Sequence, residues 1–473
     1  MSVHLSVVVP VYNERYLVKH AIDRLLAVES PLIERMDVIV VDDGSTDGSD
    51  VVLRALADQY PDRVTYVRHP KNQGKGAAVR TGIAQAKGMV VLVQDADLEY
   101  DPRDIPRLMV PFVNDGADAV FGSRFLSADY HRVLYYRHQL GNRLLTMLCD
   151  LVADVNLSDM ECGYKAVRTR LLQSIPLRSN DFRMEPEITI KLAKRGARIF
   201  EVPISYAGRT YEEGKKIRAK DGLLALATIL HWWLIDDLYE DDEYGSSMLV
   251  SVGGAPNFNR WTADTIRPFI GDRVLEVGAG LGNLTQSLLP RLWYTASETN
   301  PHYLDYLRNF ADSKPYMDIR RVDLANSDDF REVAGKYDTV VCLNVLAHMR
   351  DEAGALANLR TALVKDGRAI ILVPQDPRLY GSLDEVLGHQ RRYTREALRN
   401  VLEGSGFAVE RIFDFSRVTT PGWWLNGRWL RRTHFSKVEL KIVNTLTWLL
   451  RRVDPLLPWH GTSLIAVARR VDI

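Results

Sequence analysis

The sequence has few cysteines, no long apolar run and no excess of charge of either sign. Its 473 residues include three cysteines, Cys149, Cys162 and Cys342, and none of them forms a Cys-x-x-Cys pair. This usage argues against a structural zinc site or a disulfide scaffold, and it is typical of a reducing compartment. Lysine plus arginine and aspartate plus glutamate both number 61, so no overall positive field favours nucleic acid as a partner.

Segments that direct a chain to or through a membrane are also missing. Residues 1–6 lead at once into a predicted strand without a basic region or a cleavage site, so we expect no signal peptide. The longest apolar stretch, 223–235, contains Thr228 and His231 and is shorter than the ~20 residues that a spanning helix needs. We therefore expect a cytoplasmic protein that is soluble or bound to a membrane surface.

The length predicts two domains, because single hydrophobic cores stop growing near ~250–300 residues. The first part of the chain alternates β-rich runs with helix-like stretches, which predicts an α/β domain with a mostly parallel sheet. An acidic run followed by glycine and serine, 239–247, predicts a solvated linker. A second alternating series begins at Arg273. We predict a first domain at 1–238, a linker at 239–255 and a second domain at 256–473.

Acidic residues follow the predicted strands of the first domain. Asp42 and Asp43 end one strand, and Asp95 and Asp97 end another. Because ligands bind beyond the carboxyl ends of strands in open α/β sheets, we expect the ends of the first two strands, 9–14 and 41–49, to face one crevice. The first pair can bind a base or ribose, and the second can share Mg²⁺ or Mn²⁺ that bridges phosphate oxygens. The alternatives are a helix-capping turn and a solvated acidic cluster.

Residues 5–235 resemble family-2 glycosyltransferases with the GT-A fold, within the group of dolichol-phosphate and undecaprenyl-phosphate sugar synthases. The segments that carry the resemblance are 9–14, 42–45, 95–99, 122–124, 159–165, 182–187 and 208–216. The resemblance implies a nucleotide site formed by Pro10, Tyr12, Glu14 and Asp43, with Asp42, Lys75 and Ala96 as further candidates. It implies the metal ligands Asp95, Asp97 and Glu99. It implies that Asp95, Asp97, Arg124, Arg209 and Lys215 serve catalysis, the last three at phosphate groups.

The implied reaction transfers a hexose from a UDP- or GDP-sugar to a polyprenyl phosphate with inversion at the sugar. The metal offsets charge on the leaving diphosphate. A phosphate acceptor is already ionised, so it needs cationic groups rather than a general base. The alternative is a polysaccharide hydroxyl acceptor, for which Asp159 or Glu161 would be the base. A lipid acceptor implies peripheral attachment to the inner face of the plasma membrane.

A glycine-rich turn, Glu276-x-Gly278-x-Gly280-x-Gly282, follows the first predicted strand of the second domain. The turn alone is weak evidence, because dinucleotide-binding domains use a similar one. Glu298 ends the next strand, where it can bind ribose hydroxyls, and Asp323 ends the third, where it can meet an adenine amine.

With a seventh strand predicted at 464–468, residues 256–473 resemble class I S-adenosylmethionine-dependent methyltransferases with a Rossmann-like seven-stranded sheet. The resemblance implies S-adenosylmethionine as cofactor. Its candidate contacts are Glu276, Gly278, Gly280, Gly282, Glu298 and Asp323. The alternative is an inactive module that docks the first domain on a partner.

The sequence does not name the methyl acceptor, which we expect to be the same glycan or lipid. His389 can take a proton from a hydroxyl, with a structural role as the alternative. A Trp- and Arg-rich insertion, 423–459, favours either an anionic membrane surface or ordinary helix packing.

Overall fold

In the computed structural model, the chain divides into two compact units, Met1–Glu240 and Asp241–Ile473. The structure describes residues 2–126, 136–208, 219–235, 237–238, 255–311, 314–433 and 437–471. Most of the predicted linker, 239–254, lies outside the described residues. No helix within the described ranges has both the length and the apolar character that crossing a membrane requires.

The first unit is built on a seven-stranded sheet. Its strands are β1 (Val3–Val11), β2 (Ile33–Asp42), β3 (Val64–Arg68), β4 (Val90–Val93), β5 (Ala119–Ser123), β6 (Lys165–Arg168) and β7 (Ile199–Pro203). They lie in the order β3-β2-β1-β4-β6-β5-β7. β6 runs antiparallel to both neighbours, and the other pairs are parallel. The predicted α/β fold with a mostly parallel sheet is confirmed.

Helices cover both faces of this sheet. They are α1 (Val18–Leu26), α2 (Ser49–Gln59), α3 (Lys75–Gln85), α4 (Ile105–Asn114), α5 (Tyr136–Ala153), α6 (Thr169–Gln173), α7 (Met184–Lys194) and α8 (Ala219–Leu234). Because strand side chains alternate between faces, Val7 and Val9 of β1 enter one core cluster with residues of α1, α2 and α4. Val8 enters the other cluster with residues of α3 and α7. A continuous apolar strand is therefore buried on both sides.

The second unit also has a seven-stranded sheet. Its strands are β8 (Arg273–Val277), β9 (Trp293–Ser297), β10 (Met317–Arg320), β11 (Tyr337–Leu343), β12 (Leu363–Pro374), β13 (Phe407–Phe415) and β14 (Ser463–Arg470). They lie in the order β10-β9-β8-β11-β12-β14-β13, and β14 runs antiparallel between β12 and β13. The predicted seventh strand therefore enters the sheet beside the fifth, as a hydrogen-bonded partner of both neighbours.

The helices of the second unit connect these strands. They are α9 (Pro256–Ile266), α10 (Thr285–Leu288), α11 (Pro301–Ala311), α12 (Ser327–Arg331), α13 (Glu352–Ala362), α14 (Ser382–Leu387), α15 (Arg395–Gly404), α16 (Thr420–Trp424) and α17 (Lys437–Val453). The order of the central strands places the end of β8 between those of β9 and β11, which is where a parallel sheet forms its binding crevice.

Two helical glycines of the first unit test how closely α3 packs on the sheet. A Cβ on Gly82 would clash with Cγ1 of Val8, whereas a Cβ on Gly141 would meet nothing within 4 Å. We expect Gly82→Ala to lower the free energy of unfolding by about 1–3 kcal/mol through overpacking. Gly141→Ala, the matched control, should raise it by up to about 1 kcal/mol, because alanine favours helix. Equal effects of the two variants in urea unfolding would contradict this packing.

Candidate active sites

The ends of β1 and β2 are tied to each other by hydrogen bonds. The Asp43 N–H donates to the Val11 carbonyl at 2.8 Å, and the Asn13 N–H donates to Oγ of Ser45 at 3.0 Å. The Glu14 N–H donates to Oγ of Ser49, the first residue of α2, at 3.1 Å. The two motifs that the sequence assigned to one crevice are thus brought together. Tyr12 is 42% exposed at this edge, where a ligand can reach it.

The buried carboxylate of Asp43 shapes the loop that leads to α3. Its Oδ1 accepts the Gln73 N–H at 2.9 Å and its Oδ2 accepts the Gly74 N–H at 2.7 Å. His69 Nδ1 lies 2.7 Å from Oδ1. The neighbouring Asp42 accepts the Ser45 N–H at 2.8 Å. Both aspartates therefore hold the turns of the crevice, and their contact with a nucleotide stays a prediction.

The ammonium of Lys75 lies among carboxylates at the end of β4. Nζ is 2.8 Å from Oδ1 and 2.9 Å from Oδ2 of Asp95, and 3.9 Å from Oε1 of Glu185. Burial lowers the pKa of Lys75, but attraction to Asp95 and Glu185 outweighs burial and raises the pKa above its ordinary value. Lys75 is therefore charged at neutral pH. Glu185, to which the sequence analysis gave no role, also accepts from Nζ of Lys165 at 2.7 Å.

The predicted set of three metal ligands is not assembled in the structure. Among the described residues, no three His, Cys, Asp or Glu side chains come close enough together to hold a metal ion. Oε2 of Glu99 accepts from the Tyr206 hydroxyl at 2.9 Å, and Oδ1 of Asp97 accepts the Glu99 N–H at 3.2 Å. Asp95 and Asp97 remain hard oxygen donors in one loop. They suit Mg²⁺ or Mn²⁺, which commonly takes one or two carboxylates and completes its shell with water and phosphate.

Arg124 is fixed by Asp159. Its Nε lies 2.6 Å from Oδ2 and its Nη2 2.7 Å from Oδ1, and its backbone N–H donates to Oδ2 at 3.1 Å. Asn142 Nδ2 donates to Oδ1 at 3.0 Å. These four bonds occupy the acceptor sites of the carboxylate, so Asp159 is a positioning residue for Arg124 rather than a free base. The guanidinium lies 5.1 Å from the ring centroid of Tyr206, and so beside the partner of Glu99.

Glu161 differs from Asp159 in having an unsatisfied oxygen. Its Oε1 is buried and makes no hydrogen bond within the described residues. Burial and the nearby charge of Glu185 raise the pKa of Glu161 to about 7. The side chain therefore titrates near neutral pH, as a general base would. The predicted phosphate contacts Arg209 and Lys215 lie outside the described residues.

The glycine turn of the second unit lies at the end of β8. The N–H groups of Gly278 and Ala279 donate to the Ser297 carbonyl at 3.0 and 2.9 Å. The Gly280 N–H donates to Oε2 of Glu298 at 2.9 Å. Gly280 has a φ of +55°, and a Cβ there would meet nothing within 4 Å. The turn is therefore bonded to Glu298, the predicted ribose-binding carboxylate, and the space next to Gly280 is open.

Two other predicted contacts in this unit have different surroundings. Glu276 is buried, and its Oε2 accepts from the hydroxyls of Thr285 at 2.5 Å and Tyr294 at 2.8 Å. Burial raises the pKa of Glu276. The geometry gives Glu276 a structural part, holding α10 and β9 beneath the turn. Asp323 accepts the Ala325 N–H at 2.9 Å after β10, and its contact with adenine stays a prediction.

Family models match both units of the chain. A model of Glycosyl transferase family 2 matches residues 6–175, and a model of a methyltransferase domain matches residues 275–369. Among solved structures, glucosyl-3-phosphoglycerate synthase from Mycobacterium tuberculosis is 22% identical with a TM-score of 0.39 over 51% of this chain and 81% of that chain. The (4+2)-cyclase SpnF is 14% identical with a TM-score of 0.32 over 45% of this chain and 80% of that chain.

Curated relatives match the first part of the chain. An undecaprenyl-phosphate 4-deoxy-4-formamido-L-arabinose transferase of Edwardsiella ictaluri is 29% identical over 227 residues, 48% of this chain and 66% of the relative. Its counterpart from Yersinia enterocolitica is 30% identical over 202 residues, 40% and 60%. The chain thus spans less than two thirds of these relatives. An uncharacterized protein of Methanocaldococcus jannaschii is 30% identical over 208 residues, 42% and 86%. The chain belongs to glycosyl transferase family 2 through its first unit and carries a methyltransferase domain in its second.

Proposed function

We propose that the chain is a bifunctional enzyme. Its first unit transfers a hexose from a UDP- or GDP-sugar to a polyprenyl phosphate, and its second transfers a methyl group from S-adenosylmethionine, in our reading to the same glycan or lipid. The main observation in favour of the first activity is the pair of hydrogen bonds by which Asp159 fixes the guanidinium of Arg124. This guanidinium lies beside Tyr206, whose hydroxyl donates to Glu99 in the loop that also contains Asp95. A rigid guanidinium next to acidic metal ligands suits a site that binds two phosphate groups.

In the proposed reaction, different residues of the first unit bind the metal, the donor phosphate and the acceptor phosphate. Asp95 and Asp97 would hold Mg²⁺ or Mn²⁺, which when bound offsets the negative charge of the leaving diphosphate. Lys75 balances Asp95 in the protein alone, and beside the proposed metal ligands it would meet a donor phosphate. Arg124, oriented by Asp159, would hold the acceptor phosphate in line with the sugar.

A lipid-linked acceptor is supported by an exposed apolar stripe in the first unit. Leu140, Leu144, Met147 and Leu151 of α5 are exposed, and their spacing places them on one face of the helix. α8 packs against α5 and adds further exposed side chains, including Leu230 and Leu234. The curated relatives are named for transfer to undecaprenyl phosphate. An apolar surface in the unit that binds the sugar donor suits such an acceptor.

The second unit supports the proposal with an apolar surface on α17. Ile442, Leu446, Leu449 and Val453 are exposed and share one helical face, whereas Asn444 on the opposite face is buried. Oδ1 of Asn444 accepts the Asn257 N–H of α9 at 2.8 Å. Asn444 and Thr447 therefore lie on the inward side of α17, and the four apolar side chains point outward. We call the outward face the α17 stripe.

Aromatic and basic side chains border the α17 stripe. Trp448 is 61% exposed, and Cζ of Arg452 lies 5.7 Å from its ring centroid. Arg451, also exposed, pairs with Asp264 at 2.7 Å. Tryptophan and arginine beside an apolar helical face are typical of helices that lie in the interface of an anionic bilayer. We propose that this stripe attaches the protein peripherally to the inner face of the plasma membrane.

A second candidate function, transfer to a polysaccharide hydroxyl, is favoured by Glu161. A hydroxyl acceptor needs a base, and a carboxylate that titrates near neutral pH with an unbonded oxygen meets that need. Asp159, the other candidate from the sequence, is occupied by Arg124. In this alternative the second unit is a docking module that has lost methyl transfer.

We expect the two activities to be separable by single substitutions. Asp97→Ala should reduce transfer of label from UDP-glucose or GDP-mannose to undecaprenyl phosphate by roughly 100-fold or more, because the diphosphate loses its counter-charge. Binding of S-adenosylhomocysteine, measured by calorimetry, should be unchanged. Glu298→Ala should weaken that binding by roughly tenfold or more through loss of ribose contacts and leave sugar transfer intact.

Exposed carboxylates provide the matched controls for these substitutions. Asp115→Ala in the first unit and Glu332→Ala in the second should change neither measurement, since both residues are exposed. Wild-type sugar transfer in Asp97→Ala would remove the argument for a metal. If the wild-type protein gave no heat with S-adenosylhomocysteine, the docking module would replace the methyltransferase.

Glu161→Gln tests the choice of acceptor. Because burial raises the pKa of Glu161 to about 7 from 4.5, the folded state keeps a proton that the unfolded chain has lost. The free energy of unfolding therefore falls between these pH values, by up to about 3 kcal/mol. The variant should match the wild type near pH 4 and be more stable at pH 8. Retained transfer to undecaprenyl phosphate would support the phosphate acceptor, whereas transfer to a polysaccharide that the wild type performs and the variant loses would support the hydroxyl.

The α17 stripe can be tested with lipid vesicles. Replacing Ile442, Leu446 and Leu449 together by Gln should weaken co-sedimentation with phosphatidylglycerol vesicles by roughly tenfold or more, because less apolar area enters the bilayer. Leu292→Gln, an exposed apolar residue outside the stripe, should bind like the wild type. Unchanged vesicle binding would contradict membrane attachment. A loss of self-association with unchanged vesicle binding would make the stripe an interface between copies of the chain.

A further inference from the structure

Two histidines of the second unit contact each other, one of them on the segment that touches the glycine turn. A Cβ on Gly278 would clash with Cγ2 of Val345, so the turn touches the segment that follows β11. On that segment the ring of His348 lies 5.1 Å from the ring of His389, centroid to centroid. The N–H of the residue after His389 donates to the Ala347 carbonyl at 2.8 Å. The histidines are therefore held at the edge of the sheet where the cofactor turn ends.

His389 is oriented by a buried carboxylate. Its Nδ1 lies 2.9 Å from Oδ1 of Asp384, and both side chains are buried. Oδ1 of Asp384 also accepts from Nε of Arg392 at 2.8 Å. Burial acts to raise the pKa of Asp384, but the bonds from His389 and Arg392 hold it below its ordinary value. Since Asp384 stays ionised, Nδ1 of His389 carries the proton and donates it, which leaves Nε2 as an acceptor.

The second ring nitrogen of His389 is not used by the protein. Nε2 makes no hydrogen bond within the described part of the chain, although the residue is only 6% exposed. As an acceptor, Nε2 is therefore open to a hydrogen-bond donor that the described residues do not supply.

His348 is less suited to take a proton. Its Nδ1 faces a neutral carbonyl, that of Gly388 at 3.2 Å, rather than a carboxylate. Burial and the neighbouring His389 lower the pKa of His348. A positive charge on His348 would therefore be destabilised, and of the two histidines only His389 has a carboxylate in contact with Nδ1.

We propose that His389 is the general base of the second unit and that its methyl acceptor is a hydroxyl group. This inference rests on the proposed methyltransferase activity. The acceptor oxygen forms a bond to the methyl carbon as the carbon–sulfur bond breaks, and that electron pair goes to sulfur. The hydroxyl proton passes to Nε2 of His389, and Asp384 stabilises the resulting imidazolium. The proton then leaves to solvent. A carboxylate or phosphate acceptor would need no such base, because it is already ionised.

The test uses the full-length protein and a variant that keeps the bond to Asp384. In His389→Asn, the amide nitrogen takes the place of Nδ1, but no titrating nitrogen remains. With labelled S-adenosylmethionine and the lipid product that the first unit makes from UDP-glucose or GDP-mannose, label transfer should fall by roughly 100-fold or more. Binding of S-adenosylhomocysteine should stay unchanged. The wild-type rate should rise with pH to a plateau, and the variant should lose that rise.

Two histidine variants serve as controls. His348→Asn and His460→Asn, the latter at an exposed position, should keep the wild-type pH profile. Loss of transfer in His348→Asn with retention in His389→Asn would overturn the proposal. If S-adenosylhomocysteine did not bind even the wild-type protein, the methyltransferase activity itself would fail, which is a different outcome.

If none of these lipids accepts label, nitrogen NMR of labelled histidine tests the proposed role of His389. We expect His389 to carry its proton at Nδ1 and to leave Nε2 unprotonated, with a shift of the Nε2 resonance when S-adenosylhomocysteine binds. A proton on Nε2 instead of Nδ1, or a resonance that does not respond to S-adenosylhomocysteine, would show a structural histidine and overturn the proposal.

Discussion

The site of the first unit depends on the pairing of buried carboxylates with cations. An unpaired buried charge costs several kcal/mol, so each carboxylate at this edge of the sheet must have a partner. Lys75 pairs with Asp95, Lys165 pairs with Glu185, and Arg124 pairs with Asp159. Because these pairs come from segments far apart in the chain, their formation also fixes the loops that surround the crevice. Glu161, which is half-buried, has no such partner, and its pKa is raised to about 7 instead.

The same pairing explains why Lys75 occupies the acidic loop. Two acidic side chains in one loop repel each other, and a divalent cation or an ammonium can offset that repulsion. Lys75 does so in the protein alone. In the proposed function, a metal with a nucleotide would bring both positive charge and new phosphate oxygens, and a metal held by Asp95 would leave the ammonium of Lys75 to pair with the phosphates. Binding of the metal and of the donor would then favour each other, as in other coupled binding equilibria.

The fold could be predicted from the sequence because its strongest signals are local. Strand residues such as Val7, Val8 and Val9 form apolar runs, and the polar residues that end the runs mark the binding edge. β6 was not predicted, because a four-residue strand that begins with Lys165 and ends with Arg168 gives no clear period. Helix α4 was also missed, since Pro111 lies inside it and proline is disfavoured in helix interiors.

The site was harder to predict than the fold, because side-chain partners depend on tertiary contacts. The sequence placed Glu276 on the cofactor, but only the structure reveals that Thr285 and Tyr294 enclose it. It left Asp159 and Glu161 as equal candidates for a base, and their difference arises from Arg124, which lies 35 residues before Asp159. His389 was predicted as a candidate base, but its orientation depends on a hydrogen bond to Asp384. The sequence did not indicate that partner.

Both units expose an apolar helical face, and the cost of that exposure applies to both. A soluble protein normally turns the apolar face of a helix inward, because burial of that face is the main source of its stability. Both α5 and α17 leave an apolar face exposed, so each unit lacks the stabilisation that burial of that face would give. Insertion into a lipid surface would bury the face and supply that stabilisation. If both units act on one lipid-linked glycan, confinement to the same bilayer raises the concentration of the first product near the second site. That gain would require no fixed arrangement of the two units, since a shared membrane would hold enzyme and product together.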